Sequence, residues 1–140
     1  MVEQVKGEDG NPAGHVAIGV NGATPVGLVP DSDKAAVKAL AKEVASAANG
    51  TPEASPVPGH VEALAKGRTI KAKATLHVTP QQAAAMQAAI KGMAGHQAYD
   101  PAYRNCASFV EEVLRAGGVK APNDITPGGL VGDLNKQFPQ

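Results

Sequence analysis

The stretch from Tyr103 to Gly118 constrains the fold most, because it joins a strong helix pattern to the only cysteine in the chain. It reads Y-R-N-C-A-S-F-V-E-E-V-L-R-A-G-G. Its apolar residues recur at the spacing of one helix face; they are Cys106, Phe109, Val110, Val113 and Leu114. Glu111, Glu112 and Arg115 fall on the other side, which predicts an amphipathic helix with one buried stripe.

The ends of this helix are also marked. Asn105 is a good N-cap residue, which places Cys106 in the first turn, and the pair Gly117-Gly118 predicts the stop. Free amides and the helix dipole favour a thiolate at a helix start, so the position predicts a depressed pKa and a candidate nucleophile. The alternative is a small apolar residue buried on the packing stripe.

Composition excludes several classes of function. Thirteen basic residues balance 13 acidic ones, no basic run appears, and aromatic residues make up only 3%, which argues against nucleic-acid binding. A single cysteine forms no internal disulfide and no cysteine-rich zinc site. No apolar run approaches the roughly 20 residues that span a bilayer. The pattern also predicts no basic amphipathic helix of the kind that lies on membranes.

A strand pair is predicted near the start. Residues 1–13 are polar and are interpreted as a leader or linker, and residues 14–140 as a single domain. The segment Gly14–Val20 alternates as a strand should, Asn21-Gly22 signals a tight turn, and Pro25–Pro30 returns as the partner. This hairpin places His15 near its open end.

Helices and one further strand follow. A helix is expected to begin at 31–33 and end at 49–50, with a buried stripe of Val37, Leu40, Ala41 and Val44. A loop over 51–59, a helical turn over 60–66 and a half-buried strand over 69–78 come next.

Two more helices have clear starting signals. Thr79-Pro80 with Gln82 predicts a capping box, and this helix ends at Gly95 with Ala83, Met86, Ile90 and Met93 buried. After a loop and the cysteine helix, Thr126-Pro127 starts a last short helix that docks Leu130 and Leu134. The order predicts an α+β domain in which a small antiparallel sheet packs against helices.

A cysteine nucleophile needs a base, which is usually a histidine. The four candidates are His15, His60, His77 and His96. His15 lies on a strand face with the small residues Ala17 and Gly19, so another element can approach it closely. The other three fit surface positions better, and the sequence therefore favours His15.

The segment N-C-A-S-F-V-E-E-V-L-R-A-G-G resembles the Asn-Cys-x-x-Phe signature of circularly permuted, NlpC-type papain-like cysteine hydrolases. That group includes the lecithin-retinol-acyltransferase-like proteins. Its permuted members carry the histidine strand first, and G-H-V-A-I-G-V is similar to it. With G-L-V-P-D, L-H-V-T-P-Q-Q-A-A-A-M and T-P-G-G-L, the chain is also similar to bacterial toxin domains at the ends of Rhs-type or type VI secreted proteins. The resemblance covers residues 14 to about 134.

The resemblance implies a permuted papain-like fold in which Cys106 is the nucleophile and His15 the general base. The amide of Cys106 would help to form the oxyanion hole. Many relatives have a polar residue on the next strand that orients the imidazole, and the segment P-V-G-L-V-P has none. Asp31, His77 or a backbone carbonyl could take this role instead. A simple Cys-His dyad is the other possibility. Asn105 and Tyr103 match the motif as supporting residues. No metal or cofactor is implied.

The implied function is hydrolysis through an acyl-enzyme, with an amide bond in peptidoglycan peptides as the expected substrate. One alternative is a lipid acyl hydrolase or acyltransferase, and another is a catalytically inactive module that binds a partner. As a secreted antibacterial effector, the protein would be made in the bacterial cytoplasm and delivered to a target-cell periplasm. A cognate immunity protein is an expected partner; nucleic acid and stable membrane insertion are not expected.

Overall fold

The computed structural model describes residues 2–5, 15–51, 53–64, 69–101, 104–123 and 126–139, with the backbone alone for 2–5 and His96. The protein has an α+β fold in which six strands form one antiparallel sheet in the order β5-β1-β2-β3-β4-β6. The strands are β1 (Val2–Val5), β2 (His15–Ile18), β3 (Val26–Pro30), β4 (Val57–Ala63), β5 (Ile70–Ala74) and β6 (His96–Tyr99). The helices are α1 (Asp33–Ala48), α2 (Pro80–Gly92), α3 (Cys106–Ala116) and α4 (Pro127–Gln137). The predicted α+β class with an antiparallel sheet against helices is confirmed.

The hairpin prediction is confirmed. β2 and β3 pair antiparallel with Ile18 opposite Val26. Asn21 and Gly22 have φ values of 54° and 76°, and the Ala23 amide donates to the Val20 carbonyl over 3.1 Å. Positive φ at both central residues is what the tight type I′ turn requires.

Four predictions about β-structure and loops are wrong. Residues 2–5, expected in a leader, form β1 between β5 and β2. β4 occupies the end of the expected loop and the expected helical turn, and β6 occupies another expected loop. The strand expected over 69–78 ends at Ala74. These segments are short or contain Pro58 and Gly59, and they form strands because neighbouring strands pair with their main-chain groups.

One face of the sheet carries the core. α3 packs against β2 and β3, α4 packs against β5 and β1, and α2 lies against α3. Val16, Ile18 and Leu28 are buried there with the predicted stripe of α3. Because α3 has neighbours on several sides, Glu111 is also buried, at 1% exposure, although the pattern places it on the polar side.

The buried residues of α1 are not the ones that the sequence pattern predicts. They are Ala36, Ala39 and Glu43, and α1 contacts β3 and β4. The alanines permit close approach, and a Glu43 carboxylate oxygen accepts the Ser55 amide over 3.2 Å. The larger residues of the predicted stripe are exposed instead, which leaves an apolar face on a lysine-bearing helix. Among the helices of the described residues, none is long and apolar enough to cross a membrane.

Candidate active site

The only cysteine lies where the sequence places it, in the first turn of α3. The Asn105 side chain accepts the Ser108 amide over 3.1 Å, and the Ser108 hydroxyl accepts the Asn105 amide over 2.7 Å, which closes a capping box. The Asn105 side chain also donates through its Nδ2 to the Pro101 carbonyl over 2.9 Å. These bonds fix the start of α3 and hence the position of the Cys106 sulfur. Tyr103, the other predicted supporting residue, lies outside the described residues.

Backbone amides surround the sulfur, which is nearly buried at 6% exposure. The N–H groups of Cys106 and Ala107 come from the helix start, and the N–H group of Val16 comes from β2. All three lower the pKa of the thiol, but burial raises it by more, so the net pKa lies above its ordinary value of 9.0. The predicted depression of this pKa is wrong, because desolvation outweighs the helix start. The thiol is therefore protonated at neutral pH.

His15 adjoins this sulfur through its main chain. Since the Val16 amide contacts the sulfur, the thiol lies beside the peptide bond that joins His15 to Val16. The imidazole, at 6% exposure, turns toward Gly27, so that a Cβ on that glycine would stand 2.6 Å from Nε2. Because side chains alternate along a strand, this is the face opposite the Val16 side chain. The structure thus brings Cys106 to the His15 backbone, and bonding of their side chains stays a prediction.

Asp31, one predicted orienting residue, pairs with another histidine. Its Oδ1 lies 2.5 Å from His60 Nδ1, and Glu62 Oε2 lies 3.0 Å from His60 Nε2. Both carboxylates raise the pKa of His60 by hydrogen bonding, although His60 is 36% exposed. Asp31 and His60 together join the end of β3 to β4.

His77, the second predicted orienting residue, lies at the other end of the hairpin. It is exposed on the rim of a pocket of about 330 Å³ that the β2–β3 turn and Leu114 help to line. Leu114 follows Cys106 by eight residues, or about 12 Å along the helix axis. The structure therefore places His77 away from the sulfur.

Two residues that the sequence did not indicate lie near this site. Tyr99 on β6 is half-buried, and burial raises the pKa of its phenol. The charges of Asp33 and Asp100, and of Cys106 once it ionises, raise this pKa further. The phenol therefore keeps its proton at neutral pH and can donate a hydrogen bond near the sulfur. The sequence pattern does not indicate Tyr99, because it predicts a loop where β6 lies.

Glu62 is the second residue near the site that the sequence does not indicate. It is the cross-strand partner of Gly27, and the His15 ring lies against that glycine. Directly opposed residues share one face of a sheet, so Glu62 and His15 lie on the same face. A carboxylate therefore lies on the His15 face one strand further on, where its Oε2 contacts His60 Nε2. Sequence reasoning could not find it, because β4 was not predicted.

Comparison with protein-family models, curated proteins and solved structures finds no match to this chain. Within the described part of the chain, no group of three His, Cys, Asp or Glu side chains is arranged to hold a metal ion.

Proposed function

We propose that the protein is a cysteine hydrolase of the permuted papain-like class, with Cys106 as nucleophile and His15 as general base. One observation carries the proposal. The sulfur of the only cysteine lies at a helix start, among three backbone N–H groups, beside the main chain of His15. Of the three histidines with described side chains, His15 is the one whose backbone adjoins the sulfur.

The raised thiol pKa determines the mechanism. The attacking group starts as a neutral thiol, so a base must accept its proton as the S–C bond forms. Because the His15 imidazole lies on the other face of β2, the proposal requires the start of β2 to move so that the ring reaches the sulfur. The amides at the start of α3 and the Tyr99 hydroxyl are the candidate donors to the carbonyl oxygen as it becomes negative. The imidazolium then protonates the leaving amine, and water releases the acyl group and regenerates the thiol.

The proposed substrate is an amide bond in a peptidoglycan peptide, cleaved by a secreted antibacterial effector domain in a target-cell periplasm. Stem peptides are polar and extended, and they are accessible from water. A cognate immunity protein belongs to the same proposal.

A lipid acyl hydrolase is the second candidate. The observation in its favour is the exposed apolar face of α1, with Val37 at 60% and Val44 at 62% exposure beside lysines. An enzyme that acts on bilayers needs such a surface. A binding module without activity is the third, and the buried thiol is the observation that favours it.

Purified sacculi and phospholipid vesicles separate the three candidates. The proposal expects wild type to release muropeptide fragments with new amino termini, and Cys106→Ala to release none. Fatty acid from vesicles, with unchanged sacculi, would transfer the assignment to a lipid hydrolase. No product from either substrate would favour the binding module, and circular dichroism of Cys106→Ala checks that the variant folds.

A further inference from the structure

α1 carries three different surfaces along its length. Ala36, Ala39 and Glu43 form the buried one. The second consists of Val37, Leu40 and Val44, which are 60%, 45% and 62% exposed. Their spacing of three and four residues places them on one side of the helix, next to the buried surface. No element among the described residues covers this apolar stripe.

The third surface is a row of lysines. Lys34, Lys38 and Lys42 are exposed and lie four residues apart, so they form one line along the helix. Like charges at this spacing repel one another. Among the described residues, the ion pairs are formed by other side chains, and Asp33 is the one exposed acidic residue of α1, so no lysine of the row has an ion-pair partner. An anionic surface alongside the helix would supply one.

We propose that α1 is a docking surface for an anionic lipid bilayer, on which the helix lies parallel to the membrane plane. Val37, Leu40 and Val44 enter the boundary between head groups and acyl chains. Lys34 flanks this stripe, and Lys38 and Lys42 lie progressively further round the helix, so their long stems must bend toward the membrane for the ammonium groups to reach the lipid phosphates. This is peripheral adsorption of one helix, with the sheet above it in water.

Charge and composition favour the bilayer over a second copy of the chain. A symmetric pair of α1 helices would bury the apolar stripes and bring two lysine rows together. The exposed part of each helix offers Asp33 at its start but no acidic row to match them. Self-association therefore leaves the repulsion in place.

The same features favour the bilayer over a protein partner. The centres of protein interfaces are enriched in aromatic residues and arginine and depleted in lysine. The exposed surface of α1 has valine, leucine, alanine and lysine only, apart from Asp33 at its start. Lysine beside aliphatic residues is the composition of helices that lie on membranes.

Vesicle co-sedimentation tests the proposal without any catalytic readout. Cys106→Ala protein is mixed with phosphatidylcholine vesicles that contain or lack phosphatidylglycerol, at low and at high salt. Binding is expected only with phosphatidylglycerol and is expected to fall with salt. Replacing Lys34, Lys38 and Lys42 with Gln should weaken it roughly 100-fold, since each lysine near an anionic surface contributes about fivefold.

Two further variants make the test specific. Replacing Val37, Leu40 and Val44 with Ser should weaken binding about tenfold or more, because adsorption scales with buried apolar area. Replacing the exposed Lys71, Lys73 and Lys136 with Gln makes the same change in net charge elsewhere and should leave binding within about twofold. The proposal is overturned if the two lysine variants lose binding equally, or if wild type does not bind anionic vesicles. It is also overturned if light scattering shows a dimer that the serine variant abolishes.

Discussion

At the scale of single residues, the state of the Cys106 thiol depends on two opposed effects. Three backbone N–H groups favour the thiolate, and almost complete burial favours the thiol. Burial is the larger effect, so a helix start does not by itself make a reactive cysteine. The proposed attack by Cys106 would therefore need a base, and His15 is the residue whose main chain lies next to the sulfur.

The Cys106 thiol is expected to lose its proton only at a pH above that of an ordinary thiol. The rate of iodoacetamide labelling of Cys106, followed over pH, should have its midpoint above the ordinary thiol value of 9.0. Labelling in denaturant is the control, since exposure should return the midpoint to that value. A midpoint below it in the folded protein would show that the amides outweigh burial.

Gly27 is expected to be intolerant of a side chain. A Cβ there would stand 2.6 Å from His15 Nε2 and 2.8 Å from the Val16 carbonyl oxygen, so ring and backbone must both shift. Gly27→Ala should lower the free energy of unfolding by about 1–3 kcal/mol in urea denaturation. Gly132→Ala is the matched control. Its Cβ meets nothing within 4 Å inside α4, and it should stabilise by about 0.5–1 kcal/mol. An unchanged midpoint for Gly27→Ala would refute this packing.

At the scale of elements, helix starts were predictable and several strands were not. Thr79, Asn105 and Thr126 cap their helices as expected, because a cap is a local interaction within about four residues. β1, β4 and β6 have no such local signal. They are strands because neighbouring strands pair with them, and a single sequence does not contain that information.

The cap of α3 should contribute measurably to stability. Asn105→Ala removes the bond to the Ser108 amide and the bond to the Pro101 carbonyl. The expected loss is about 1 kcal/mol in urea denaturation, and Asn105→Ser should recover part of it because serine can also cap. Equal stability of the alanine and serine variants would contradict this role for the cap.

The contact between β3 and β4 through His60 should depend on pH. Asp31 and Glu62 raise the pKa of His60 in the folded state, so its contribution is complete below the unfolded value of 6.5. It is lost as pH rises through the folded pKa. His60→Ala should therefore cost more stability near about pH 5.5 than near about pH 8.5, by less than about 1 kcal/mol because the pair is exposed.

The control for this effect is the same substitution made after Asp31→Asn and Glu62→Gln. In that background the pH dependence of the His60→Ala cost should disappear, since both causes of the shift are gone. A cost that persists with the same pH profile would assign it to packing instead.

At the scale of the whole molecule, the sheet and three helices form one core, and α1 lies outside it. The predicted stripe of α1 failed because hydrophobic pattern identifies apolar residues but not the surface that covers them. In α1 the small Ala36 and Ala39 face the sheet, and the larger Val37 and Val44 face outward. In α3 the predicted apolar stripe is buried, although Glu111 is buried as well, so Cys106 could be found from the sequence. Glu62 and Tyr99 could not, because their places depend on the sheet.

The central claim is that Cys106 and His15 carry out hydrolysis, and parallel turnover assays test it most directly. Wild type, Cys106→Ala, His15→Ala and His77→Ala are each incubated with purified sacculi, and released amino termini are counted. His77 is the matched control, since it lies at the other end of the hairpin. The account predicts release by wild type and His77→Ala, and none by Cys106→Ala or His15→Ala when both retain their circular dichroism. Release by Cys106→Ala, or loss in His77→Ala with His15→Ala active, would contradict it.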